Sequence, residues 1–465
     1  MKMRGQTALD FPMDSYLPKI LCLIMIRLYT GCLGPAELSL VTKLQYFVCV
    51  LGLVATLGVS EAVIDIIRKD PKRKSEVYTT SVVFSLVTLI IILCLFPLLS
   101  KAFKFSKYVS YVILMLFAVR FRDINRQYAR ANNLSRICFA DNIINIILTA
   151  AFMVIFILLL ELGVKGYFIA AILADICSSI FIMALSDLKS QLNPDNIDMK
   201  LARKMVRISA PYVGAALCWW MMRYINFYLV SYLVSNKESG MYICAYLVSD
   251  MIMLAVIMLR KTWTDDMFAF EDKKIIKSHY TKALDSYFSI LTAAAAIIML
   301  LVKVVMSILT DKAYWEAYRF APFIIVAMVI QSMCYFLSCI YFEKNIVRTF
   351  IKCAALAVIM NIIFDIILIP FLDAQGASIS ALISSFILFI MVIVDTQRIM
   401  KYSISWRKIG LNLITLIYMS VVIVFKLPVM YVWLLIGVIV IALINYPALT
   451  ASVSLYAQNK NSGSN

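Results

Sequence analysis

Arginine and aspartate occur in this sequence where a charge is expensive. Arg27 and Arg223 lie inside long apolar runs, and so do Asp175, Asp250 and Asp365. A charged side chain at the centre of a bilayer costs about 2.5–3.5 kcal/mol on insertion scales, so it turns toward protein or water. Guanidinium keeps its charge at physiological pH, and its planar fork matches the oxygens of a phosphate bidentately. Arg27 and Arg223 are therefore candidate anion-binding residues; the plainer role is an Arg that snorkels to the interface or pairs with an acid. A carboxylate held in a membrane can take up a proton or Na⁺, which makes Asp250, Asp175 and Asp365 candidates for ion coupling. Their plainer role is partner to an Arg or hydrogen bond to a neighbouring helix. Arg120, Arg122, Arg126 and Arg130 close another apolar run. There they would anchor on anionic lipid or, more sharply, contact an anionic headgroup during loading. Trp219, Trp220, Tyr224, Tyr228 and Tyr232 thread the run that holds Arg223, as an interface belt or as surfaces on which sugars stack.

The elements that must position these residues are membrane helices. Of 465 residues 63% are hydrophobic and 15% charged, with a mean hydropathy of +0.89. A soluble domain would carry about a quarter charged residues. In hydrocarbon every backbone N–H and C=O needs a partner within the protein, so only helices or closed barrels span. Barrel strands would read as alternating segments of about ten residues. The apolar runs here are continuous and long enough for helices crossing a ~30 Å core. They predict fourteen spans: 16–33, 38–67, 77–99, 108–131, 137–160, 164–187, 208–234, 240–262, 284–309, 318–342, 349–371, 375–399, 409–427 and 429–450. The eleven cysteines fall almost entirely within those runs and show no metal-ligand spacing, so they read as small hydrophobes.

The net charge of +17 is spread in short clusters between the runs, a topology signal and not a nucleic-acid surface. Counting alternate loops puts about thirty-two Lys and Arg on one side and about eleven on the other, which predicts that both termini are cytoplasmic. The loops on the opposite side are short. The halves also resemble each other. Glu37 follows span 1 as Glu238 follows span 7, Gly166 stands at the start of span 6 as Gly376 does at that of span 12, and Asn142-Ile143-Ile144 matches Asn361-Ile362-Ile363. Six helices per half give a parallel repeat about an axis along the membrane normal. The expected organisation is an N-lobe over 1–187, a cytoplasmic linker over 188–207, a C-lobe over 208–400, and two further helices with a cytoplasmic tail over 401–465.

Enzyme chemistry finds little material. His279 is the only histidine, and no G-x-x-x-x-G-K-[ST] phosphate loop occurs. The acidic pairs or large outer loop expected of a membrane glycosyltransferase, ligase or polymerase are missing from the sequence as well.

Several short segments, in order, resemble a known family. They are Arg27-Leu28-Tyr29 with Leu33-Gly34-Pro35-Ala36-Glu37, then Leu57-Gly58-Val59-Ser60-Glu61-Ala62, Ser209-Ala210-Pro211-Tyr212, and Glu238-Ser239-Gly240-Met241-Tyr242. Lys261-Thr262-Trp263, Asn361 to Pro370, and Gly376-Ala377 complete the set. Over residues 15–400 the chain resembles a polysaccharide transporter, of the O-antigen and capsule flippase type, in the multidrug/oligosaccharidyl-lipid/polysaccharide (MOP) exporter superfamily. Many members have an Asp-Arg-like pair late in helix 7, where this chain has Asn226-Phe227. The resemblance implies an all-α, two-lobed, V-shaped membrane protein in a bacterial inner membrane, with helices 1, 2, 7 and 8 lining a cationic cavity. It also implies alternating-access transport of a polyprenyl-diphosphate-linked oligosaccharide to the outer leaflet. Arg27 and Arg223 would hold the diphosphate, and an H⁺ or Na⁺ gradient would supply the energy without any cofactor. Membrane lipids, and polymerase or assembly proteins of the polysaccharide pathway, are the expected partners. The competing readings are a drug or cation exporter of the same superfamily, a membrane enzyme of polysaccharide assembly, and a non-transporting scaffold.

Overall fold

The computed structural model describes residues 10–103, 106–256, 273–344 and 346–462. Among the described residues the chain is helical throughout, with no strand. Eleven helices are long and apolar enough to cross a membrane. The other three expected spans coincide with α1 (Asp10–Cys32), α5 (Val109–Ala131) and α9 (Met199–Leu233). These helices carry Arg27, the Arg120–Arg130 series and Arg223, so the expected fourteen crossings remain compatible with the structure. The chain divides into two compact units, Met1–Tyr224 and Ile225–Asn465.

The first unit contains α1, α2 (Pro35–Ala55), α3 (Val59–Lys69), α4 (Lys74–Phe103), α5, α6 (Ser135–Met153), α7 (Gly163–Leu185), the short α8 (Leu188–Gln191) and most of α9. Two apolar clusters hold it together: one around Leu44, Val48 and Phe168, the other around Val63, Tyr78 and Met205. Where a single helix was expected over 38–67, the chain turns a corner. Leu57 and Gly58 take left-handed φ of 48° and 67°, and α3 starts afresh at Val59. Apolarity is continuous through the corner, so only Gly58 signals it. The corner is held from outside: the Ser209 hydroxyl of α9 donates to the Leu57 carbonyl at 2.7 Å, and a Cβ on Gly58 would run into Val213. α9 also starts well before its expected span, at Met199 and not at 208, because Asp198 caps it by accepting from the Lys200 and Leu201 N–H groups at 2.8 and 3.1 Å. α6 ends in a π-helical turn, Val154–Leu159, against which Gly166 of α7 packs; a Cβ there would sit 2.7 Å from the Phe156 carbonyl.

The second unit comprises the end of α9, α10 (Asn236–Ser249), α11 (Lys273–Leu309), α12 (Ala321–Glu343), α13 (Val347–Leu372), α14 (Ala374–Ile399), α15 (Trp406–Val424) and α16 (Met430–Ser462). Side-chain spacing on α13 sorts its faces: Asn361, Asp365 and Ile369 are fully buried, whereas Ile359, Ile363 and Ile366 are exposed, as a lipid-facing stripe requires. α13 and α14 lie closely along each other, with Gly376 seated on the Leu368 carbonyl. The polar segment after α10 lies outside the described residues up to 272; from Lys273 onward it is part of α11. Lys261-Thr262-Trp263 also lies outside the described residues.

The parallels between the halves are structural. Glu37 and Glu238 each occupy the third position of a helix, α2 and α10. The Gly34 N–H donates to Glu37 at 3.1 Å, and the Ser235 hydroxyl accepts from the Glu238 N–H at 3.1 Å, so both loops are helix caps. Nine residues after each packing glycine a polar side chain ties the sixth helix of its half to the fourth. Asp175 of α7 meets Arg122 of α5, and Ser385 of α14 meets Gln331 of α12.

Candidate functional site

In the first unit, Arg122 of α5 reaches two carboxylates on different helices. Its guanidinium lies 2.9 Å from Asp141 on α6 and 3.1 Å from Asp175 on α7. Asn145 donates to Asp175 at 3.0 Å, Ser178 donates to Asp141, and Arg126 stands 3.7 Å from Asp141. Asp141 is completely buried, and Asp175 nearly so. Guanidinium forks suit such paired contacts. A buried charge stripped of its partner is strongly destabilising, so these groups hold α5, α6 and α7 in one register. Asp175 and Arg122, singled out separately from the sequence for ion uptake and headgroup contact, thus face each other as one pair. Arg120 pairs with Asp123 at 3.1 Å and rests against Gly52 of α2, where a Cβ would collide with its guanidinium.

In the same unit the apolar stretches of α1, α2 and α9 carry cations. Arg27 is exposed on α1, while Lys43 of α2 and Arg223 of α9 are half-buried. The sequence reading did not single out Lys43, although the criterion that selected Arg27 applies to it equally. α2 and α9 meet where Tyr46 and Tyr224 stack, their ring centroids 3.8 Å apart. Lys43 lies one turn before Tyr46, and Arg223 adjoins Tyr224 with its guanidinium 5.7 Å from that ring. An aromatic pair flanked by cations is a surface that suits a sugar attached to phosphate.

The second unit holds a cluster of another kind. Asp365 of α13 is fully buried, and neither of its carboxylate oxygens has a hydrogen-bond partner among the described residues. The side-chain oxygens of Asn226 and Asn361, both buried, likewise have none. Asn361 lies one turn before Asp365, on the same face of α13. The amide of Asn361 donates to Ser380 at 3.0 Å, and that of Asn226 to the Ala377 carbonyl at 3.0 Å and to Tyr242 at 3.4 Å. Ser380 and Ala377 lie one turn apart on α14, so the fixed amide donors leave the free oxygens gathered near that turn. Acceptors without donors, around a single negative charge, form a ligand set for a proton or a small hard cation. Asp250 is elsewhere: it ends α10 in mid-span, where the helix breaks for a turn before resuming at Ile252.

Residues 24–319, more than half of the chain, match the polysaccharide biosynthesis protein family. The chain belongs to that family. Its fold is that of the MATE transporters of the MOP superfamily. An inward-facing multidrug resistance MATE transporter is 15% identical, with a TM-score of 0.67 over 85% of this chain and 99% of the other. The outward-facing form gives 16%, 0.61, 84% and 95%. A MATE protein in complex with MaL6 gives 16%, 0.62, 84% and 94%. No curated protein matches the chain. This polysaccharide biosynthesis protein is a multi-pass membrane protein with a transporter fold.

Proposed function

We propose that the protein is a flippase. It carries a polyprenyl-diphosphate-linked oligosaccharide, such as an O-antigen, capsule or exopolysaccharide repeat unit, across a bacterial inner membrane by alternating access. The observation that carries the reading is the joining of a polysaccharide-biosynthesis family to a transporter fold. Both termini are cytoplasmic, on the side of the basic loops. Arg27 and Arg223, with Lys43, hold the diphosphate, whose charge a guanidinium pair meets bidentately. Tyr46 and Tyr224 present their rings beside it. Asp365, with the amide oxygens of Asn226 and Asn361, takes up the coupling H⁺ or Na⁺. Asp175 already has Arg122 as counter-charge and keeps helices together. Asp250 marks a break of the kind at which transporter helices bend. Arg120, Arg122 and Arg126 act through their carboxylate partners more than through lipid headgroups. Polymerase and assembly proteins receive the product.

Removing the protein is expected to accumulate undecaprenyl-linked repeat units on the cytoplasmic leaflet while leaving their glycan structure unchanged. An altered glycan would point to an enzyme, and altered toxin sensitivity alone would point to a drug exporter. The latter finds support in the multidrug transporters that share the fold. Against it stands the cationic character of α1, α2 and α9 around Arg27, Lys43 and Arg223, which repels cationic drugs.

A further inference from the structure

A second polar site lies in the second unit, at the turns around residues 238, 319 and 373. Its cavity, about 190 Å³, is lined by Glu238, Arg319, Phe320, Asp373 and Gln375, with Leu372 and Val424. These come from separate pieces of chain: the start of α10, the 3₁₀ turn Lys312–Arg319 with the residue after it, the α13–α14 turn, and the end of α15. Two donors here, Arg319 Nε and Gln375 Nε2, are buried without a partner among the described residues. A buried donor left unsatisfied costs about 1–3 kcal/mol, so a ligand that accepts from both is favoured.

The backbone adds an independent observation. Asp373 has φ 51° and ψ −142°, a conformation that is essentially glycine's alone. The equivalent turn of the first unit, before α7, has a glycine in the left-handed region: Gly163, φ 53°. Gly163 lies beside Glu37, the counterpart of Glu238. Where the first unit has Gly163, the second has a side chain held at positive φ, and that side chain brings a second carboxylate to the cavity.

We infer that this cavity binds a single neutral sugar ring. The lining charges are one guanidinium and two carboxylates, which disfavours an oxyanion. Sugar hydroxyls both donate and accept. They can satisfy Arg319 and Gln375 while donating to Glu238 and Asp373, and the ring's C–H face can rest on Phe320, Leu372 and Val424. In the orientation proposed above, the site opens at the outer face and takes a sugar of the delivered glycan; that assignment rests on the flippase reading.

The test uses the full-length protein in lipid nanodiscs, with saturation-transfer NMR of galactose, N-acetylglucosamine, glucuronate and inorganic pyrophosphate. A neutral sugar is expected to bind at millimolar concentration, more tightly than glucuronate. Asp373→Gly and Gln375→Leu should each weaken it at least tenfold. Asp373→Gly should at the same time raise the thermal unfolding midpoint, because glycine removes the backbone strain; a merely structural aspartate would not couple the two effects. Absence of binding by any neutral sugar, binding that persists in either variant, or displacement of the sugar by pyrophosphate would overturn the site. Sugar binding in a protein that fails to flip lipid-linked saccharide would sink the flippase reading and leave the site standing. Flipping without sugar binding would do the reverse.

Discussion

Tyr46 and Tyr224 stack nearly parallel, with ring centroids 3.8 Å apart and an interplanar angle of 19°. The pair fastens α2 to α9 and brings the turn that holds Lys43 toward the turn that holds Arg223. Hydrogen bonds to charged groups contribute about 1.5–3 kcal/mol each. Arg223→Ala is therefore expected to slow glycolipid flipping by roughly 10- to 100-fold. Arg223→Lys should recover only part of the rate, since a point charge cannot grip two oxygens. Lys43→Ala should slow it less than Arg223→Ala. Flipping measured in reconstituted vesicles checks all three; parental rates in Arg223→Ala would remove the anion role.

Asp365→Asn keeps the size of the side chain and removes the charge. Flipping driven by an imposed ion gradient should collapse, while downhill exchange of lipid-linked saccharide between leaflets persists. Running the two assays with H⁺ and Na⁺ gradients in turn identifies the ion. Unaltered gradient dependence would count against Asp365 and leave Asp250 to be tried.

Arg122→Gln strands Asp175 without its cation and leaves Asp141 only the longer contact with Arg126 at 3.7 Å, and is expected to destabilise the first unit by about 3–5 kcal/mol. Replacing all three by apolar residues of similar volume, Arg122→Met with Asp141→Leu and Asp175→Leu, should come closer to the parent than the single change does. Thermal unfolding in detergent reads both. A single variant as stable as the parent would show that the cluster does not hold the helices.

Asp198 lies outside the spans, and its carboxyl is held below the usual carboxylate value of 3.8 by the Leu201 N–H, then by the Lys200 N–H and by Arg73. A depressed folded value means that the stabilisation is complete above 3.8 and fades as pH falls through the lower folded value. Acidification should therefore loosen the α9 cap and its tie to Arg73, which lies 3.1 Å from Asp198. Protection against hydrogen exchange at Lys200 and Leu201, relative to the intrinsic rate at each pH, should fall at low pH in the parent. In Asp198→Asn it should show no such acid-dependent step.

The helices were legible because a twenty-residue apolar run in a bilayer has one backbone solution. Their interruptions were not. The corner at Leu57–Gly58 leaves hydropathy unchanged, and what fixes it is a hydroxyl from Ser209, 152 residues away; Asp250 stood out as a charge, not as the end of a helix. Charges in apolar runs pointed to Arg27, Arg223 and Asp365, because their cost shows in composition alone. The pairing of Arg122 with Asp175, 53 residues apart, did not follow from either residue. Asn226 and Asn361 carry no charge and gave no such signal. Asn226 stood out only as a departure from the family pattern and Asn361 only as a mark of the repeat. Burial without a donor is what makes their oxygens candidate ligands.

Arg223 and Asn226 are neighbours on successive turns of α9, separated by about 4.5 Å along its axis. An anion held by the first and a cation admitted by the second would each alter the electrostatic field felt by the other. Whatever free energy the cation adds to glycolipid affinity, the glycolipid must return to cation affinity in equal measure. Titrating either one in the presence of the other would give the same cooperativity factor, and that factor, in place of any large movement, is the minimal signature of a carrier driven by an ion gradient.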